Sequence, residues 1–238
     1  MGNGRTSTLV YGVNKIRLDD DKPNFVAMTY QQAINFVKNI NLPTNSEMRR
    51  LGLNDFNFVQ YVIHALHMHD KPIVLPDAEF DKQLKNKSVE GLELHRGTGS
   101  ERATNSIMFS DSTYLGNGIH GDGIYFSTNQ STAYDYSRQY GVTAFLDKSK
   151  ARIIDERKLR NMYNSEPKQL RNAFEGRHSE KFKYSYDDYS GISVYALFKG
   201  YNVIRAYGGN GFYSHDSGGE DFFIALSREP IVLREHRK

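Results

Sequence analysis

The sequence predicts an α+β fold, helices first and then a mostly antiparallel sheet or sandwich. Apolar residues recur at helical spacing in the first third of the chain. From about Leu92 they fall instead into short runs, alternating or wholly apolar, as strands do. Glycine-rich loops separate those runs.

In the helical part, Thr29 is placed to cap a helix over 29–40, with Ala33, Ile34, Phe36 and Val37 turned mostly inward. A connecting loop follows over 42–46. Asn54 is placed to cap a second helix reaching about residue 69, whose stripe is Phe58, Val59, Val62, Ile63 and Leu66. A third, short helix follows Pro76, because Asp77 and Glu79 fall in a first turn that favours negative charge. Strands are predicted over 92–95, 106–109, 123–128, 142–146, 152–154, 203–206, 222–226 and 231–233. Helices are predicted over 131–140, between 156 and 174, and over 192–198.

The 238 residues suffice for one sizeable core and do not require two domains. Hydrophobic residues make up 38% and charged residues 25%, ordinary values for a globular protein, so wholesale disorder is not expected. A net charge of +3, with Lys and Arg interleaved among acids, offers no concentrated basic face for nucleic acid. With no cysteine, disulfides, thiolate zinc sites and a Cys nucleophile are excluded. No apolar run approaches the roughly 20 residues that span a bilayer, and no apolar signal core follows the N-terminus. The expectation is a soluble protein acting in a cytoplasm. Met1-Gly2-Asn3-Gly4-Arg5-Thr6 fits the loose myristoylation pattern, which would offer a membrane contact through Gly2, but a plain terminal segment is the expected reading. His64, His67 and His69 lack an acid placed to complete a metal set, and Asp19-Asp20-Asp21 lacks the ligand spacing of a calcium loop, so no metal is expected.

Three segments carry chemistry. Leu94-His95-Arg96-Gly97-Thr98-Gly99 sets a planar cation at a strand end beside accessible backbone amides, which suits a pyrophosphate and an amide-bearing ligand. Side-chain alternation sends neighbouring His95 to the strand's other face, in a structural role. Gly116-Asn117-Gly118-Ile119-His120-Gly121-Asp122-Gly123 reads as a loop with unusual backbone angles, and it leads into Ile124-Tyr125-Phe126-Ser127-Thr128. It matches neither a phosphate-binding P-loop nor a dinucleotide fingerprint. The third segment, 208–221, is an aromatic-bearing glycine-rich loop ending in Glu220-Asp221 before the apolar strand Phe222-Phe223-Ile224-Ala225-Leu226.

In this order the three motifs resemble the ADP-ribosyltransferases: Arg-Gly on a first strand, then Gly-Ile-Tyr-Phe-Ser-Thr, then a glycine-rich loop ending in Glu before an apolar strand. The resemblance covers about residues 90–235 and includes Ala151-Arg152-Ile153-Ile154-Asp155 and Lys199-Gly200-Tyr201-Asn202-Val203-Ile204-Arg205. Arg96 places it closer to the Arg-Ser-Glu branch of toxin- and phage-like enzymes, with Asn129 in place of the third residue of Ser-Thr-Ser, while Gly123-Ile124-Tyr125-Phe126 also resembles the His-Tyr-Glu branch. It implies one domain over 1–238: a helical lobe at about 25–88, then a mixed, mostly antiparallel β-sandwich at about 90–235 that binds NAD.

The implied activity is mono-ADP-ribosyl transfer from NAD, as substrate, to a protein side chain. The same site could serve an NAD glycohydrolase, or a phage head or binding module without turnover. By resemblance Glu220 faces the positive charge that develops on the ribose, Ser127 orients Glu220, and Arg96 grips the phosphates. Gly97 holds the nicotinamide amide, and Tyr125 or Tyr136 stacks on its ring. Glu220 is preferred to Asp221, since strand neighbours face opposite sides. The target protein is expected at the loop 208–219, through Phe212, Tyr213 and His215. Gly218 stands where related enzymes carry a residue that helps choose the acceptor, so the acceptor is not readable.

Overall fold

The computed structural model describes Ile63 and residues 71–109, 115–118, 120–135, 140–175, 191–208 and 220–235. The helices expected over 29–40 and 54–69 lie outside the described residues, except that Ile63 is helical and fully buried in the core.

The described strands are β1 (Ile73–Leu75), β2 (Leu94–Thr98), β3 (Gly116–Gly118), β4 (Gly121–Ser127), β5 (Tyr140–Leu146), β6 (Ile153–Asp155), β7 (Val203–Gly208), β8 (Glu220–Ala225) and β9 (Ile231–Arg234). The described helices are α1 (Asp77–Lys87), α2 (Glu101–Phe109), α3 (Gln130–Asp135), α4 (Glu156–Ser165), α5 (Lys168–Phe174) and α6 (Ile192–Phe198). The protein is thus mixed α+β. The strand order is β1-β9-β5-β2-β4-β8-β7-β6, with β3 paired to β4. Only the outer pairs β1/β9 and β6/β7 are parallel among the described strands, so the sheet is mostly antiparallel, as expected.

The strands form one hydrogen-bonded path. The path has a narrow waist. β2 pairs with β5 along its whole length, and β4 pairs with β8 over four positions, but β2 meets β4 in register only at His95 and Ser127. Two halves therefore meet at that pair, β1-β9-β5-β2 on one side and β4-β8-β7-β6, with β3 beside β4, on the other.

Local chemistry explains the helices that flank them. α6 is buried from Ile192 to Leu197, as an apolar helix must be when no polar face is available for water. Asp155 caps α4 by accepting from the Lys158 backbone N–H at 2.9 Å, and Leu159 and Tyr163, one turn apart, carry its buried face. On the other half, Phe80 of α1 packs edge-on against Phe145, with Val232 beside them.

Four expectations need correction. Residues 106–109 are helix, not strand: Ser100 accepts from the Ala103 N–H at 3.2 Å, and Thr104, Ile107 and Met108 are buried at helical spacing while Phe109 is exposed. The short run Ile107-Met108-Phe109 had concealed that period. β2 begins at Leu94 and continues through Thr98, so Arg96 sits inside the strand rather than at its end; Gly97 finds Gly141 as its partner on β5. Tyr140 is a strand residue paired with Thr98, not the end of the preceding helix. Gly116–Gly118 is also strand: it forms a hairpin with Gly121–Gly123.

Close packing accounts for two of those glycines. Gly121 has φ +105, and a Cβ there would come within 2.5 Å of the Ser193 hydroxyl on α6. A Cβ on Gly123 would come within 2.5 Å of Ile224 Cγ2 and 2.9 Å of the Ala225 carbonyl oxygen. Gly123→Ala is therefore expected to destabilise the fold by about 1–3 kcal/mol, since the strands must separate. A lowered denaturant midpoint at unchanged slope is the expected result; an unchanged midpoint would contradict this packing account.

Candidate functional site

Ser127 closes β4 and Glu220 opens β8. Ser127 pairs with Phe222, and Phe222 and Glu220 are two positions apart, so all three side chains share one face of the sheet. Both polar groups are buried, Ser127 at 4% exposure and Glu220 at 5%. The Ser127 hydroxyl donates to Glu220 Oε1. Thr132 Oγ1 donates to the other oxygen, Oε2, at 2.8 Å. Each carboxylate oxygen thus has a hydroxyl donor, and the acid is fixed in position.

The segment between the two donors folds so as to bring them together. Asn129 Oδ1 accepts from the Ser131 backbone N–H at 2.9 Å and from its hydroxyl at 2.7 Å, as an N-cap does. The Asn129 N–H donates in turn to Ser127 Oγ at 2.8 Å. A residue that looked like a departure from Ser-Thr-Ser is the start of the helix that delivers Thr132.

Asp221 turns the other way. Its Oδ2 accepts from Arg205 Nε at 2.9 Å and Nη2 at 2.5 Å, and Arg205 Nη1 reaches Glu90 Oε1 at 2.9 Å. The Arg205 guanidinium also lies over the rings of Tyr207, at 5.3 Å, and Phe223, at 5.5 Å. Of the two adjacent acids, Glu220 alone meets Ser127.

Arg96 and His95 point to opposite sides of β2, and it is His95, register partner of Ser127, that shares the Ser127 face. Burial holds the His95 imidazole below its ordinary pKa, while Glu93, 3.8 Å away, opposes that shift. Arg96 reaches from the other side into the waist, where its Nη1 donates to the Tyr125 carbonyl at 3.1 Å. Gly97 lies on the His95 side, paired with Gly141.

Tyr125 is on the Ser127 face, but its hydroxyl donates to the Gly121 carbonyl and its ring lies against Gly116. Burial, and then Asp122, push its pKa well up, so the hydroxyl stays protonated. Tyr136 and the loop residues Phe212, Tyr213 and His215 lie outside the described residues. The ends of that loop are described: Gly208 pairs with Glu220, so both loop stems stand at the acid.

Sequence reasoning missed Thr132 and a second polar cluster on the same face. His120 Nδ1 lies 2.8 Å from Glu156 Oε2, and Arg160 Nε donates to Glu156 Oε1 at 2.6 Å. The Glu156/Arg160 half was legible as a pair one helical turn apart. Its link to His120 spans 36 positions and left no local signal. Thr132→Val should lower any turnover that depends on Glu220 by about tenfold, the scale of one hydrogen bond to a charged group. Thr132→Ser should restore it. A valine variant as active as the parent would show that Oε2 needs no donor.

Among the described residues, no group of three or more His, Asp or Glu is placed to hold a metal ion. No described helix is long and apolar enough to cross a membrane. No family model, no curated protein and no solved structure matches the chain.

Proposed function

We propose that this protein is an ADP-ribosyltransferase of the Arg-Ser-Glu type, cleaving the nicotinamide–ribose bond of NAD and transferring ADP-ribose to a protein side chain. The observation that carries this proposal is Glu220, buried, with Ser127 on one oxygen and Thr132 on the other. Leaving of nicotinamide builds positive charge on the ribose, as in glycoside hydrolysis. A carboxylate already fixed beside that charge needs no reorganisation as the charge appears.

The other roles follow on this proposal. Arg96, which donates to the Tyr125 carbonyl at the waist, is the residue we assign to the NAD phosphates, because a planar cation suits them. Gly97 backbone groups hold the nicotinamide amide, and Tyr125 or Tyr136 lies against its ring. The loop 208–219, whose stems flank Glu220, meets the target protein. The context this suits is a toxin, effector or phage enzyme acting in a host cytoplasm.

Incubation with labelled NAD, with and without a cell lysate, tests the proposal. Label fixed on protein together with released nicotinamide supports transfer. Nicotinamide without labelled protein means an NAD glycohydrolase. Neither NAD binding nor nicotinamide release means a binding module on this scaffold.

A further inference from the structure

We propose that His120, held by Glu156 and Arg160, accepts the proton of a neutral hydroxyl nucleophile at the Glu220 site; this rests on the NAD-cleaving activity proposed above. Its location comes first. The His120 ring stacks on Phe222, with centroids 6.1 Å apart and planes within 22°. Phe222 is the register partner of Ser127 and lies two positions from Glu220 on the same face. Glu220 and His120 thus flank one half-buried aromatic floor, with the acid toward one end and the imidazole over the ring.

The tautomer comes next. Nδ1 is tied to Glu156 Oε2, and a carboxylate can only accept, so Nδ1 carries the proton. Nε2, on the far side of the ring, is then the lone-pair nitrogen, and it has no hydrogen bond among the described residues. Glu156 is itself held by Arg160 one turn further along α4. Base, orienting acid and a group fixing that acid form a connected set, the arrangement a proton acceptor requires.

The charges around His120 define the acceptor. Glu156 and Arg160 on α4 offset each other; Tyr125 on β4 keeps its hydroxyl protonated, and the charge of Asp122 on the same strand acts on it. Burial raises the Glu156 pKa, but the His120 hydrogen bond and Arg160 more than offset this, and the net shift is downward. Glu156 is therefore an anion at neutral pH, and a guanidinium, always charged, keeps its proton against a neutral imidazole. A neutral alcohol oxygen does gain from a base, because it must shed a proton as it bonds.

The step balances. The acceptor oxygen donates a lone pair to C1 of the ribose. The C1–nitrogen bond breaks, and its electron pair stays on nicotinamide, which leaves neutral. The hydroxyl proton passes to His120 Nε2, and Glu156 faces the imidazolium that results.

Methanol serves as the hydroxyl probe and agmatine as the guanidinium probe, with NAD and the full chain. The wild type should form methyl ADP-ribose at a rate that falls toward acid pH, because an acceptor that already carries its proton cannot take another, and agmatine should yield little product. His120→Asn should form the methyl product about 100-fold more slowly and lose that pH limb, with NAD affinity unchanged. Glu156→Gln should slow the methyl product as well, because the imidazolium loses the anion that faces it. A His120→Asn protein that matches the wild type in rate and pH profile overturns this inference alone. So does a wild-type rate flat from pH 5 to 8, which needs no variant to fold, and so does preference for agmatine. A wild type that releases no nicotinamide overturns the proposed function with it.

Discussion

Glu220→Gln is expected to lower nicotinamide release by about 10³-fold, roughly 4 kcal/mol of barrier, while NAD still binds. Gln keeps the shape and one acceptor oxygen, and the Ser127 and Thr132 hydroxyls can rotate to meet its amide. What it loses is the negative charge facing the ribose. Steady-state assay of nicotinamide beside calorimetric NAD binding separates the two effects. Asp221→Asn is the matched comparison, since it removes the same charge from the opposite face, where the partner is Arg205. Turnover of Asp221→Asn should stay within a few-fold of wild type. If Glu220→Gln retains full activity, the acid has been misassigned.

Arg96→Ala should have two separable consequences. It leaves the Tyr125 carbonyl without its side-chain donor at the waist of the sheet, a loss of about 1–3 kcal/mol in stability. It also removes the proposed phosphate grip, worth about 1.5–3 kcal/mol for charged hydrogen bonds, so NAD affinity should weaken roughly 10- to 100-fold. Arg96→Lys restores charge but not the planar fork, and should recover affinity only in part. Thermal melting reports the first consequence and calorimetry the second. Unaltered affinity in a folded Arg96→Ala protein would leave Arg96 a purely structural role.

Elements were legible where one physical rule dominated locally. The apolar run from Ile192 to Phe198 could only be a buried helix, and α6 occupies that span. Strands β7, β8 and β9 stood out as apolar runs bounded by glycine and charge, with ends off by only a few residues. Reading failed where the deciding contact was distant. Gly97 looked like the end of a strand because β5, which pairs with it, is more than forty residues on. The glycines at 116–123 looked like a loop with unusual backbone angles because the atoms that exclude side chains there, on Ser193 and Ile224, are remote in sequence.

The candidate site divides in the same way. Ser127 and Glu220 were legible through motif order, and strand alternation alone separated Glu220 from Asp221. Alternation also separated Arg96 from His95, but which of the two faces Ser127 depends on the β2/β4 register. Thr132 is 88 positions from the acid it holds, and nothing in its own neighbourhood marks it.

The central claim is that Glu220 stands where the nicotinamide–ribose bond of NAD breaks. The most direct measurement is free nicotinamide released when the purified chain is given NAD, followed by chromatography and compared with Glu220→Gln. The account predicts steady release by the wild type and at most about a thousandth of that rate from the variant. Bound NAD that stays intact with the wild type, or equal release by both proteins, would contradict it.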